Sequence, residues 1–374
     1  MVRMLHLADL HLGWEPTYLP GDRAIIRQEE RDSLLQRAVA FALEDSKNIQ
    51  LVIIAGDLFE RHDPPAPLVN KTLDALGRLV QSGRHVITVP GNHDEISYHN
   101  SVYRQYREQW PGHLVTAPMP AHVLTLTVGD VPVHVYSMAY TGGLTDVQNL
   151  TFPRSAEEGW HIASFHGSLD WETGDRSLPL PSAELAKADY DYLALGHIHR
   201  HQVLKVGNTC TVYAGIMEPK MPTDSYVSHY TVAQLRDSGV EIETPPETIR
   251  PHQRHVLDIS GHSTPQALMD DLRAFSDAKR VMHIELRGAA SFPFDPEALV
   301  EHLYDEFFHL EIDNESDFIS PAALERYHDD LTVKGEFVRR MHSRLEETED
   351  PDDREILQLA LVRGLAAFER GARR

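Results

Sequence analysis

A chain of 374 residues, 41% hydrophobic and 25% charged, has the make-up of an ordinary globular protein too long for one compact core. No apolar run approaches the roughly 20 residues of a membrane-spanning helix. Against 35 Lys and Arg stand 57 Asp and Glu, a net charge of −22, the wrong sign for holding nucleic acid by diffuse attraction.

The stretch from Met1 to Leu7 reaches Asp9 and His11 before an apolar h-region or cleavage site could form, so it reads as a strand and not as a signal peptide. Short β-branched runs then alternate with helical patterns. They predict strands over residues 3–8, 51–55, 85–89, 122–128, 131–137, 161–165 and 192–195, with helices over 31–46 and 67–82. Gly129-Asp130 reads as a two-residue hairpin turn, and strands over 202–206, 211–214, 226–232 and 240–244 make the second half antiparallel. The expected fold class is α/β: a two-layer mixed β-sandwich flanked by helices.

A Pro-rich pause between Thr244 and Pro251 predicts the end of this first domain, residues 1–248. Residues 249–316 read as a small α+β capping domain, with strands over 255–259 and 281–287. Its helices start at Thr264-Pro265 and Asp295-Pro296, each a capping side chain followed by Pro at the first helical position. The same signal at Ser320-Pro321 and Asp350-Pro351 predicts two helices in a C-terminal region, residues 317–374. In the first, Leu324, Tyr327, Leu331, Val338, Met341 and Leu345 recur as an apolar stripe that either covers the protein's own core or docks a partner.

Five short motifs fall at the ends of predicted strands: Asp9-Leu10-His11, Gly56-Asp57, Gly91-Asn92-His93-Asp94, His166-Gly167 and Gly196-His197-Ile198-His199. Loops that follow the strands of an α/β sheet converge at one edge, so these motifs can meet. A pair of divalent ions needs one carboxylate to bridge them, neutral ligands around them, and open positions for water and phosphate oxygens. Asp57 is a natural bridge. Asp9 and His11 lie two apart on an extended segment and can face one ion, a geometry that His197 and His199 repeat. Asn92 and His166 supply neutral ligands. No serine nucleophile is required, because metal-activated water can attack phosphorus. His93, preceding Asp94, suits a general acid whose imidazole is held by a carboxylate.

Each motif alone is an ordinary turn or cap; their joint occurrence in order points to a metal site. His6, His85, His134 and His161 sit in strand patterns and read as packing residues, and Cys210, the single cysteine, as a small core hydrophobe. A lone cysteine forms no internal disulfide and fits a reducing cytoplasm. Lys205, Lys220, Arg250 and Arg254 are candidates for a phosphate-binding rim, set against the usual fate of cations as solvated surface.

The order D-x-H, GD, GNHD, H, GHIH over residues 9–199 resembles the calcineurin-like metallophosphoesterase superfamily. The resemblance implies a first ion held by Asp9, His11, Asp57 and His199, a second held by Asp57, Asn92, His166 and His197, and His93 as catalytic acid next to Asp94. Leu58-Phe59 after Asp57, the later Asp63-Pro64-Pro65, and Asp rather than Glu closing the GNHD motif resemble SbcD-type (YhaO-like) DNA-repair exonucleases. Glu60 departs from that pattern, standing where some members carry His, a departure that bears on the balance of exonuclease and endonuclease action.

The expectation is therefore a cytoplasmic, metal-dependent DNA nuclease with two divalent ions, for which manganese is among the ions that mixed His, carboxylate and carboxamide ligation suits. The resemblance also implies a homodimer and a partner ATPase of the SbcC type, which could hold the DNA for so acidic a chain. A phosphatase or small-molecule phosphodiesterase on the same site is the alternative, and a scaffolding subunit with a vestigial site a third reading.

Overall fold

A computed structural model describes residues 1–142, 150–170, 177–224, 228–247, 249–290, 292–318, 327–328 and 330–371. Its backbone divides into two units, the first comprising Met1–Lys220 with Tyr226–Ile249 and the second Met221–Ser225 with Arg250–Arg374.

The first unit is built on two six-stranded sheets. One runs in the order Gly239–Glu243, Thr231–Arg236, Val2–Leu7, Leu51–Ala55, His85–Val89, His113–Leu114. Its three central strands are parallel, Leu5 opposite Val52 and Ile53 opposite Ile87, and Thr231–Arg236 joins them antiparallel. The other runs Gln202–Val206, Thr209–Tyr213, Tyr192–Gly196, Trp160–His166, Val131–Ser137, Ala121–Val128. Here Tyr192–Gly196 lies parallel to both neighbours, and antiparallel hairpins close the two edges.

Strand side chains alternate between faces. Tyr192 and Ala194 join the large cluster that contains residues of both sheets, including Leu5, Val52, Ile54, Val135 and Ile162. Leu193 and Leu195 instead pack with Phe165, Tyr190 and Leu185, the last on helix Ser182–Ala188. Strands covered on both faces read as unbroken apolar runs, which is why Leu51–Ala55 is buried at every residue.

The structure departs from expectation at the first helix. Two helices, Gly21–Asp32 and Leu34–Leu43, replace the single one expected over 31–46, and Ser33 breaks them, its hydroxyl donating to the Glu30 carbonyl at 2.7 Å. The earlier helix has no apolar stripe to announce it. Its buried residues are Arg27 and Arg31. Farther on, the strand expected over 226–232 lies at Thr231–Arg236, and residues 225–227 are outside the described residues.

The second unit holds a parallel three-stranded sheet, His252–Asp258, Asp277–Arg287 and Phe307–Asn314. Leu268 and Leu272 of helix Pro265–Arg273 and Leu299 and Leu303 of helix Pro296–Leu303 pack with Met282, Ile284 and Leu286 of the sheet. Both predicted caps are made: Thr264 Oγ1 accepts from Ala267 N at 3.2 Å and Asp295 Oδ1 from Glu297 N at 3.0 Å. Helices Val333–Glu347 and Pro351–Gly371 pack through Val338, Met341, Leu345, Leu361 and Leu365. Leu331 is 95% exposed and takes no part in that stripe, while Ser320-Pro321 and Leu324 are outside the described residues. Among the described residues no helix is long and apolar enough to cross a membrane.

Candidate metal centre

All seven predicted ligands come from loops or ends of parallel strands, three loops on one sheet and two strand ends on the other. Asp9 and His11 follow Val2–Leu7, Asp57 follows Leu51–Ala55, and Asn92 follows His85–Val89. His166 ends Trp160–His166, and His197 and His199 follow Tyr192–Gly196. Parallel neighbours deliver their loops to the same edge, so residues far apart in sequence arrive together.

The backbone there is in a conformation that side chains disfavour. Asp9 (φ 54°), His11 (50°), Asp57 (50°) and His197 (91°) all occupy the left-handed region. For a residue with a Cβ this costs on the order of 1–3 kcal/mol each, and such residues collect where a site demands them. Gly91 is required for a different reason. A Cβ there would lie 2.2 Å from Asp57 Oδ1 and 2.4 Å from Asp57 N.

The donor atoms converge in two groups with Asp57 between them. His11 Nε2 and His199 Nε2 face each other at 3.2 Å. Asn92 Oδ1 stands 2.9 Å from His166 Nε2 and 2.9 Å from His197 Nδ1. Asp57 Oδ2 is 3.8 Å from His11 Nε2 and 3.4 Å from His166 Nε2. Asp9 clusters with His11 and His199 and also with Asp57 and His166, one ligand atom from each residue lying within 4.8 Å of the others.

Backbone groups aim these side chains. The His197 amide donates to Asp9 Oδ1 and Oδ2 at 3.0 Å each, and the His93 amide to Asp57 Oδ1 at 2.9 Å. His166 Nδ1 donates to the Ala55 carbonyl at 2.9 Å, which turns Nε2 inward as the nitrogen that would face a cation.

Two carboxylates and four imidazoles packed this closely require positive charge. Burial pushes the Asp9 carboxyl up to about 7 against the opposing pull of His166. Burial also lifts Asp57, but His166, His11 and His93 outweigh it and hold that carboxyl well below the usual range. Desolvation lowers His11 to about 4 and His199 to about 3, so both are neutral donors at neutral pH. His166 is the exception: burial lowers it, yet Asp57 and Asp9 raise it to about 9. Without a cation, its proton supplies the positive charge that a divalent ion would bring, and neutral nitrogen with ionised carboxylate is the donor set such an ion takes. The residues present fit a pair of divalent cations.

The arrangement around His93 differs from the sequence expectation. Asp94 does not hold the His93 imidazole: its carboxylate is fully buried and accepts from Gly91 N at 2.7 Å, Tyr103 Oη at 2.7 Å and Phe59 N at 3.1 Å. Asp94 points inward and ties the loop together. The group that meets His93 is Glu60, whose carbonyl accepts from Nδ1 at 3.0 Å. Glu60 Oε2 also lies 2.8 Å from His11 Nδ1, an electrostatic contact off the line of the N–H bond, and 2.8 Å from Lys220 Nζ.

Behind Lys220, Arg31 Nη2 donates to the carbonyls of Glu218 (2.6 Å) and Pro219 (2.9 Å), and Arg27 Nη2 to that of Pro219 (2.6 Å). No spacing rule links Arg27, Arg31 and Glu60 to residues more than 150 positions away. Of the other candidate rim cations, Lys205 is exposed on strand Gln202–Val206, and Arg250 and Arg254 belong to the second unit.

The fold and this cluster are those of a binuclear metallophosphoesterase. The chain belongs to the calcineurin-like phosphoesterase family, whose model matches residues 2–201, more than half of its length. Among curated relatives it is 24% identical over 253 residues to the uncharacterized metallophosphoesterase YhaO of Bacillus subtilis, covering 64% of this chain and 59% of that protein. It is 25% identical over 341 residues to the DNA double-strand break repair protein Mre11 of Haloferax volcanii, covering 87% and 71%. With the SbcD component of the nuclease SbcCD of Bacillus subtilis it shares 25% identity over 248 residues, covering 57% and 61%. The matched region thus spans about 59% of the first of these relatives and 61% of the last.

Proposed function

We propose that this chain is a metal-dependent nuclease that hydrolyses DNA phosphodiester bonds in repair or recombination. The observation that carries the reading is the convergence of Asp9, His11, Asp57, Asn92, His166, His197 and His199 on one edge of the sandwich, with His93 beside them. The Mre11 and SbcCD names of two relatives support DNA as the substrate.

In this reading Asp9, His11, Asp57 and His199 hold one divalent ion, and Asp57, Asn92, His166 and His197 the other. Bound there, the pair of ions, for which manganese suits the donor set, lowers the pKa of a water and neutralises charge on the phosphoryl oxygens. The chain's own residues do the rest. Asp57 stays ionised between the two groups because the His93 amide and three imidazoles stabilise its charge. Ala55 fixes the His166 tautomer. His93, its side chain 35% exposed and its Nδ1 committed to the Glu60 carbonyl, presents Nε2 as the nitrogen that passes a proton to the leaving oxygen.

The experiment is a digestion assay on linear DNA with manganese, alone and with an SbcC-type ATPase. Wild type is expected to degrade the DNA, and His93→Ala to lose turnover while keeping its metal. Failure of the wild type on every DNA form, with the partner present, would overturn the reading. The ATPase partner and a homodimer belong to the same proposal, and co-purification with light scattering tests both. The net charge of −22 favours a second reading, a phosphatase or small-molecule phosphodiesterase on the same residues. Comparing p-nitrophenyl phosphate, cyclic nucleotides and oligonucleotides as substrates separates the two.

A further inference from the structure

We propose that Lys220 binds a phosphate flanking the one being cleaved, and that Glu60 sets where its ammonium stands. The proposal rests on the nuclease reading and assigns that site a specificity-determining residue. Lys220 stands directly beside the cage: its Nζ meets the Glu60 carboxylate at 2.8 Å, and the same Glu60 oxygen lies 2.8 Å from His11. Only 12% of the side chain is exposed, which is rare for a lysine.

A simple ion pair would need nothing beyond Glu60 and Lys220. The fold instead fixes the main chain that carries Lys220. The guanidinium groups of Arg27 and Arg31 donate to the two preceding carbonyls, Arg27 Nη1 pairs with the buried Glu218 carboxylate at 3.2 Å, and Arg31 Nη1 reaches the Leu10 carbonyl at 3.3 Å. Leu10 lies between Asp9 and His11, so one arginine ties the Lys220 segment to the metal-binding loop. The Trp14 ring, three residues past His11, is shared by the Arg31 guanidinium at 5.1 Å and the Lys220 ammonium at 5.7 Å. This is a positioned charge.

Its chemistry follows from its neighbours. Ions held by that cage would take the oxygens of the scissile phosphate, so a cation held just outside them, its Glu60 partner shared with His11 Nδ1 at 2.8 Å, is placed for the next phosphate of a polyanion. On a chain of net charge −22, a local cation of this kind is what a nucleic-acid strand can use. A small diester with one phosphate gains much less from it.

The test measures kcat and KM with manganese for a short DNA oligonucleotide and for bis(p-nitrophenyl) phosphate, in wild type, Lys220→Ala, Lys220→Arg and Lys205→Ala. Lys220→Ala is expected to lose about tenfold in kcat/KM on the oligonucleotide, mostly in KM, and about twofold on the small diester. The slope of log KM against log salt should fall by about 1. Lys220→Arg should restore most of the loss, and Lys205→Ala should move neither substrate. If Lys220→Ala unfolds, Lys220→Met keeps the apolar stem and carries the same comparison. An equal loss on both substrates, a matching loss in Lys205→Ala, or no loss while wild type cuts DNA overturns the proposal and leaves the nuclease reading standing. Wild type that hydrolyses the small diester but neither binds nor cuts the oligonucleotide removes both.

Discussion

Gly91→Ala places one methyl group against the carboxylate that stands between the two donor groups. The added Cβ would sit 2.2 Å from Asp57 Oδ1 and 2.4 Å from Asp57 N, where ordinary contact begins at 3.4 Å. One of the two atoms is backbone and cannot rotate away. Asp57, or the Gly91 loop with Asn92 and His93, must therefore shift by about 1 Å to reach normal van der Waals separation. Asp57 Oδ2 is already 3.4 Å from His166 Nε2 and 3.8 Å from His11 Nε2, so such a shift moves it out of reach of one group. A misplacement of about 1 Å in a catalytic array costs roughly 100-fold in rate, and forcing a methyl into a packed site costs about 1–3 kcal/mol of stability. The assay is kcat for bis(p-nitrophenyl) phosphate at saturating manganese, with calorimetric metal titration and a thermal melt beside it. A folded Gly91→Ala protein within about threefold of wild-type kcat, with unchanged metal stoichiometry, would refute the reasoning.

Three further outcomes are expected. Tyr103→Phe should cost about 1.5–3 kcal/mol, because its hydroxyl donates to the buried Asp94 carboxylate, which burial and the nearby Asp57 charge push up to about 6. That hydrogen bond favours the ionised carboxylate, so denaturant melts should show a larger cost above pH 6 than below it, and a cost independent of pH would contradict the assignment. Chelation should lower Tm more at pH 8 than at pH 6. The sign follows from Asp9, whose carboxyl in the metal-free fold is raised to about 7, so the metal-free protein loses stability as pH rises through that value while a bound cation replaces the missing proton. A chelation penalty that shrinks with rising pH would be incompatible with this. Arg27→Ala should destabilise by about 3–5 kcal/mol in urea melts, because it strips the guanidinium partner from a fully buried Glu218, and a loss below about 1 kcal/mol would show that pair to be dispensable.

What is legible in the sequence is set by how narrow the physical requirements are. Metal donors must be particular residue types, and loops after parallel strands must carry them to one edge, so Asp57, Asn92, His166 and their companions stand out by type, order and position. Central strands such as Leu51–Ala55 are legible because burial on both faces leaves no polar residue in the run. Helix Gly21–Asp32 is not, because its buried side is made by two arginines whose partners are carbonyls near residue 219. Periodicity detects apolar faces only. The role of Asp94 escapes the sequence for a related reason. Adjacency to His93 in the chain says nothing about direction, and the inward turn of Asp94 toward Tyr103 and Phe59 depends on packing that a linear pattern does not encode. Glu60 meets Lys220 across 160 positions, and no local rule pairs them.

The cage draws its halves from opposite layers of the sandwich, and His11 meets His199 across 188 positions of chain. Such distant pairings carry a loop-closure cost that must be met before they contribute stability. During synthesis the ribosome must release residue 199 before the full pocket can exist, and a nascent chain that ends just short of it lacks His199 and so one side of the first donor group. Completion of the cage therefore reports that strands of both layers are in place. Its timing could be followed as a clock for when the two layers first come to rest against each other.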